Sequence, residues 1–341
     1  MTLTNSNENT FNFQIINDSN EIVKYLFIGT SIPIWQEFYK YILYDLNFFK
    51  AKSIILKKNG NPIGHVLVFS ADSDVLYFGY FGLLGHFREH ILFLVDKLIE
   101  FAEKNNFKLI KGPINIPAII YGWGFMKEGS DPSLFIGKPV NPPIYQELFI
   151  EKGFYVKSEE ISWEGGILWF NPWKVKKYNF SEYEYFNPKN LREFSKFKGD
   201  YLRIHSQNLP PNAQLTPKIN LLMDNYAEFI FEFGYSFMLI FVRHKPSDKI
   251  VACGTCIPNP FRKDDKGNYD SCIAFTWAIE PEYRRKGLSM LMFGETSRQA
   301  WKMKMSYISA PVERENVTNK IVENNLFLEN KRTHIILEKK L

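Results

Sequence analysis

The sequence predicts an α/β (α+β) protein of two tandem domains, each a mixed, mostly antiparallel central sheet flanked by helices. Three observations carry this expectation. A chain of 341 residues exceeds one ordinary core and suits two. The succession of strand, helix and turn signals in the first half recurs in the second, the mark of a tandem duplication. Each half also holds a hairpin, a further strand and then an amphipathic helix, the pattern of a sheet covered by helices.

The first half opens with a strand at Phe11–Asn17 and mixed helical stretches to about Phe49. Ser53–Lys58 and Ile63–Ser70 flank Asn59-Gly60-Asn61-Pro62, turn chemistry that specifies a hairpin. Val75–Leu84 is a third strand. Ile91, Leu94, Val95, Leu98 and Phe101 recur at helical spacing within His90–Asn105. Phe107–Lys111 is a short strand, Ile144–Glu151 a helix closed by Gly153, and Phe154–Trp169 a hairpin about Gly165-Gly166. Asn171-Pro172 to Lys177 is the expected connector, giving domains 1–172 and 173–341.

In the second half a strand at Tyr178–Phe186 leads to helices at Lys189–Ser206 and Pro217–Phe233. Ser236–Arg243 and Ile250–Ile257 pair around Lys245-Pro246-Ser247-Asp248. Ser271–Ile279 is a strand, Leu288–Met303 a helix and Ser306–Val312 a strand. Thr318–Asn325 is a short helix and His334–Lys339 the last strand.

Composition narrows the function classes. Hydrophobic residues make up 45% and charged residues 23%, so the chain is globular rather than disordered. A net charge of +5 favours small anionic ligands over nucleic acid, which calls for a concentrated basic stripe. Cys253, Cys256 and Cys272 are too few for a disulfide framework and fit a reducing, cytoplasmic setting. The polar start MTLTNSNENT has no signal-peptide pattern, and the longest apolar runs are interrupted, so no membrane segment is expected. A monomer or homodimer is expected.

The stretch from Ala278 to Ser289 carries the chemistry. Pro281 lacks an N–H and stops the preceding strand; Gly287 permits a tight turn; Leu288 begins a helix. The first amides of that helix lack internal partners and lie at its positive end, so an anion satisfies them. Arg284, Arg285 and Lys286 add charge suited to phosphate. A plain solvated basic turn would use the same residues, but this one lies between a strand and a helix.

Here residues 271–341 resemble the second half of the GNAT acyltransferase family. Its motif is a strand, a proline, then Arg/Gln-x-x-Gly-x-Gly/Ala at a helix start, and Arg284-Arg285-Lys286-Gly287-Leu288-Ser289 matches it except at Ser289. Glu315-Asn316 and Leu326-Phe327 resemble a downstream family segment, with Leu326 where Gly is usual. The resemblance implies acetyl-CoA or another acyl-CoA as co-substrate and no metal. The backbone of Trp277, Ala278 and Ile279 would pair with the pantetheine arm. Arg284, Arg285, Lys286, Gly287, Leu288 and Ser289 would hold the pyrophosphate, with Asn316 and Asn319 on the far side. Lys111-Gly112-Pro113-Ile114-Asn115, Asn141 to Leu148 and Gly153-Phe154 resemble a family of two-domain GNAT-like proteins, a likeness covering most of residues 45–165. There the corresponding turn, Leu84 to Glu89, lacks Arg-x-x-Gly, so the first domain reads as a degenerate copy that shapes the substrate site.

The implied activity is N-acyl transfer, with acetyl going to a small-molecule or peptide amine by direct attack. The alternative is a non-catalytic acyl-CoA-binding or regulatory protein. A tRNA-dependent aminoacyl transferase disagrees with the weak charge. The family's usual base and acid positions hold Ile273 and Val322, which move no proton, so the catalytic residues are unassigned. Glu232, Glu280, Glu282 and Tyr283 read as solvated or capping groups. Cys253 and Cys256 have metal-knuckle spacing but lie three apart in a strand, on opposite faces, and no second pair follows. Cys272 reads as a buried small hydrophobe and the six histidines as surface or core residues. The long aromatic stretch Ile116–Pro139, with Tyr121, Trp123 and Phe125, is either a lid or a packing insertion.

Overall fold

The computed structural model describes residues 11–30, 32, 38–128, 135–166, 170–208, 212 and 215–341. The chain forms two compact units. Unit 1 is Met1–Lys127, Gly137–Ser158 and His334–Leu341; unit 2 is Glu128–Ile136 and Glu159–Thr333. The units are interleaved, and the expected boundary at 172/173 falls inside unit 2.

Unit 1 begins with β1 (Phe11–Ile16), α1 (Ser19–Ile22), α2 (Lys40–Phe48), β2 (Lys52–Lys58), β3 (Asn61–Phe69) and β4 (Val75–Leu83). Asn59 and Gly60 both have positive φ, 52° and 81°, the geometry of the two-residue turn that follows the twist of its strands. Next come α3 (Arg88–Lys104), β5 (Leu109–Gly112), α4 (Ala118–Tyr121), β6 (Phe125–Glu128), α5 (Ile144–Glu151) and β7 (Tyr155–Gly166). Ile91, Leu94, Val95 and Leu98 of α3 are fully buried, as their spacing requires, and pack with Ile54, Val66, Phe78 and Phe149 in one core.

Unit 2 continues with β8 (Tyr183–Phe186), α6 (Leu191–Phe194), α7 (Lys198–Ser206), α8 (Ile219–Phe233), β9 (Leu239–His244), β10 (Lys249–Pro258), β11 (Ser271–Ile279), α9 (Leu288–Lys302), β12 (Tyr307–Glu313), α10 (Val317–Asn325) and β13 (Glu329–Lys340). The sheet orders match: β1-β2-β3-β4-β5-β13 in unit 1 and β8-β9-β10-β11-β12-β7 in unit 2. In each, four antiparallel strands are followed by a short parallel pair. Unit 1 takes its sixth strand from the end of the chain, Leu337–Lys340 against β5, and unit 2 takes β7 from the middle. That exchange is why no single cut separates the units.

Several expected elements differ. Tyr155–Gly166 is one strand rather than the arm of a hairpin: Gly165 and Gly166 pair with Ile308 and Tyr307 of β12. The expected return arm, at 167–169, lies outside the described residues. Pro172–Lys177 is a 3₁₀ helix laid against α9 rather than a loose connector; Val175 fills the space a Cβ at Gly294 would need. The helix expected over Lys189–Ser206 is broken into α6 and α7 by Ser195–Phe197.

Asp45 of α2 is 1% exposed, and neither carboxylate oxygen has a hydrogen-bond partner among the described residues. Burial pushes its carboxyl up to about 8. A carboxyl whose folded pKa lies above the unfolded value leaves stability unchanged below both values and lowers it progressively as pH rises from about 4 to 8. Asp45→Asn is therefore expected to melt with the wild type at pH 4 and roughly 10 °C above it at pH 8. Thermal scans at the two pH values check this; a pH-independent difference would contradict it.

Candidate acyl-coenzyme site

β11 pairs with β10 along its whole length, with one irregularity. Thr276 faces Thr255 and Ala274 faces Cys256, so Phe275 is an extra residue, a bulge. On its other side β11 pairs with β12 only at Ser271↔Tyr307, Cys272↔Ile308 and Ile273↔Ser309. Past that point β12 stays with β7 as far as Glu313↔Glu160. Among the described residues no strand pairs with the side of Ala274–Ile279 turned away from β10, and an extended chain bearing amides can add there.

The opening leads to the start of α9. Glu280 N–H bonds back to Val251 O, and Pro281–Tyr283 forms one 3₁₀ turn, which ends the strand. Arg285 and Gly287 then take left-handed φ of 64° and 77°. The two left-handed residues, on either side of Lys286, make a tight turn into the helix. Gly287 is the N-cap and gives no side-chain cap. Its carbonyl accepts from Met290 and Leu291, whereas no acceptor is present for the Gly287, Leu288 and Ser289 amides among the described residues.

The side chains of the motif divide into two groups. Arg284 turns back, donating to Ile279 O at 3.1 Å and to Asn208 Oδ1 at 2.9 Å. It braces the turn. Arg285 and Lys286 are exposed, with Lys286 Nζ 4.9 Å from the Tyr283 ring. The Tyr178 ring rests on Gly287. Trp277 packs its indole on Phe293 of α9, ring centroids 4.7 Å apart, and Ala278 is buried.

Asn316 and Asn319 are committed elsewhere. Asn316 caps α10 by accepting from Thr318 N, and Asn319 accepts from Trp163 Nε1 at 2.8 Å and donates to Arg314 O at 3.1 Å. Ile273 and Val322 are buried. Glu280 is ion-paired with Arg203 of α7, and Glu232 and Glu282 are exposed. Cys253, Cys256 and Cys272 are free and buried. Burial pushes the Cys253 thiol up, and a hydrogen bond with Cys256 does the same to Cys272. No group of metal-ligating side chains occurs among the described residues, and no helix among them is long and apolar enough to cross a membrane.

Sequence reasoning passed over one group. Tyr201 and His205, four apart on α7, approach Thr255 of β10 and Thr276 of β11. Their i, i+4 spacing beside two strand threonines was the available signal.

Unit 1 has the same parallel pair, Val75–Tyr77 with Leu109–Lys111, and the same widening beyond it. There the chain fills the opening itself. Ile114 N donates to Phe78 O, Tyr80 N to Asn115 Oδ1, and Leu83 N to Tyr145 Oη, at 2.7, 2.7 and 3.0 Å. Asn115 Nδ2 holds Tyr121 O at 3.2 Å, and a Cβ at Gly79 would overlap Ile114 O. A cavity of about 20 Å³ remains between Phe81, Asn115, Gly124 and Tyr145, room for one water. Tyr121 and Phe125, expected in a lid or insertion, are buried within this unit.

No protein-family model matches the sequence, and no curated protein matches it. Solved structures do. A tandem GNAT protein from the clavulanic acid biosynthesis pathway aligns over 97% of this chain and 98% of its own, at TM-score 0.55 and 10% identity. A GCN5-related glucosamine N-acetyltransferase region of a fungal multi-domain GH3 beta-N-acetylglucosaminidase aligns over 97% of this chain and 38% of that one, at TM-score 0.59 and 14% identity. A GNAT-family acetyltransferase from Colwellia psychrerythraea aligns over 97% and 100%, at TM-score 0.50 and 13% identity. Strand order, the parallel pair that opens and the helix behind it agree with these likenesses: the chain has the fold of the tandem GNAT proteins.

Proposed function

We propose that the chain is an acyl-CoA-dependent N-acyltransferase whose unit 2 binds acetyl-CoA or a related thioester. The observation that carries this reading is the parting of β11 from β12 after Ile273, which leads to a helix start at Gly287 with no side-chain cap. The edge suits the amides of a pantetheine arm, and the amides of Gly287–Ser289 with Arg285 and Lys286 suit a pyrophosphate. Acetyl-CoA, when bound, supplies the acyl group as an activated thioester. The chain's part is to orient that thioester and to stabilise charge on its oxygen with a backbone N–H of β11. The acceptor is a small-molecule or peptide amine that attacks directly. Unit 1, its opening filled, serves as scaffold.

Ile273 and Val322 favour a second reading, a coenzyme-binding protein without turnover. Calorimetry with acetyl-CoA, followed by a thiol-release assay over a panel of amines, separates the two. Binding with turnover supports the transferase; binding without turnover for every amine supports the regulator; no binding removes both.

A further inference from the structure

On the face of β11 covered by α7, four polar side chains meet within an otherwise apolar core. Tyr201 Oη lies 2.7 Å from Thr255 Oγ1. His205 Nε2 lies 3.3 Å from Thr255 Oγ1 and 3.4 Å from Thr276 Oγ1. Tyr201, Thr255 and His205 are buried, His205 to 1% exposure, whereas Thr276 is half-buried on the part of β11 past its pairing with β12. Trp277, the next residue, points to the opposite face and α9. Nδ1 of His205 has no hydrogen-bond partner among the described residues. An orphaned polar atom in a core lowers stability, and Leu or Phe would fill the space without that cost. What the imidazole contributes is therefore Nε2.

Hydroxyl and phenol groups each donate or accept, and the tautomer of His205 sets the direction of the two Nε2 contacts. Burial lowers the His205 pKa to about 3, so the ring stays neutral throughout the physiological range. In either tautomer the contact with Nε2 fixes the Thr276 hydroxyl, and Thr276 Oγ1 keeps a lone pair for a further donor.

The geometry points to Thr276 as the residue that contacts the acceptor amine and to His205 as the positioning residue that fixes the Thr276 hydroxyl. This assignment rests on the acyl-transfer reading of unit 2. Thr276 Oγ1 accepts a hydrogen bond from the acceptor N–H and thereby orients the nitrogen lone pair. The nitrogen forms the C–N bond as the C–S bond breaks. The proton lost by nitrogen ends on the departing sulfur through solvent, and His205 takes up none. The class of acceptor is accordingly a neutral primary or secondary amine with an N–H to donate.

The test is thiol release from acetyl-CoA with the amine that the wild type turns over. Thr276→Val is expected to lower kcat/KM for the amine about tenfold to a hundredfold, the cost of a misplaced reactant. Its Kd for acetyl-CoA is expected to stay within about twofold of the wild type. Thr276→Ser keeps the hydroxyl and is expected to keep the rate. His205→Leu is expected to lose as much as Thr276→Val, and the double variant no more than either, because the two residues act as one unit. Wild-type kcat/KM in Thr276→Val, or losses that add in the double variant, would overturn the assignment. Should His205→Leu fail to fold, Thr276→Val decides by itself. A wild type that binds no acetyl-CoA, or releases no thiol with any amine, removes the acyl-transfer reading and this inference with it. Turnover with an unaffected Thr276→Val removes this inference alone.

Discussion

Gly287→Glu is expected to raise the Kd for acetyl-CoA at least about a hundredfold, or roughly 2.7 kcal/mol, in isothermal titration. Three effects act together. The φ of 77° is one that only glycine adopts without strain, and leaving it costs about 1 kcal/mol. A Cβ at this position overlaps the Tyr178 ring, so either that ring or the turn has to shift. The added carboxylate also places a negative charge at the helix start, where it would repel an anionic ligand such as the coenzyme's pyrophosphate. Arg285→Ala and Lys286→Ala remove only exposed cations and are expected to weaken binding partially, with an effect that shrinks as salt is raised. Circular dichroism of each variant guards against loss of fold. Binding by Gly287→Glu equal to that of the wild type would sink the assignment of this turn to the coenzyme.

How much of this was legible beforehand depends on the range of the interaction. Asn59-Gly60 and the apolar face of α3 are local signals, and both elements stand where they were expected. Gly287 was legible for the same reason, since a left-handed residue between a strand and a helix restricts the residue type. The path of β7 was not. Gly165-Gly166 looks like a turn, but the flat glycine pair lies alongside β12, and Leu328 crowds Gly165. Nothing local distinguishes a glycine in a hairpin from one that lets another chain approach closely. The exchange of sixth strands is equally non-local, because β13 pairs with β5 more than two hundred positions upstream. Asn316 followed the family pattern, yet its side chain caps α10. The missing Arg-x-x-Gly marks unit 1 as a degenerate copy, but the filling of its opening is non-local and rests on Asn115, whose Oδ1 accepts from Tyr80 N.

Arg332→Met is expected to destabilise the protein by about 3–5 kcal/mol and lower its Tm by roughly 10 °C. Arg332 of β13 and Glu164 of β7 are fully buried within unit 2. The guanidinium donates through Nε to Oε1 at 2.8 Å and through Nη2 to Oε2 at 3.2 Å. Tyr307 of β12 adds a third hydrogen bond to the carboxylate at 3.1 Å, and the Phe135 ring lies 5.2 Å from the guanidinium. Removing the cation leaves a carboxylate in the core that must either stay charged without a partner or take up a proton, and both cost free energy. Glu164→Gln leaves the guanidinium in the same position and is expected to cost a similar amount. The double variant Glu164→Leu with Arg332→Met is expected to recover most of the loss, since the pair is offset by its own desolvation and apolar groups of like volume replace it well. Site and stability meet at Tyr307, which opens both the parallel pair with Ser271 and the strand that leaves β11. A double variant that regains its Tm but not its affinity for acetyl-CoA would show that the ion pair sets the position of β12. One that melts with Arg332→Met would show that the pair is needed for stability itself.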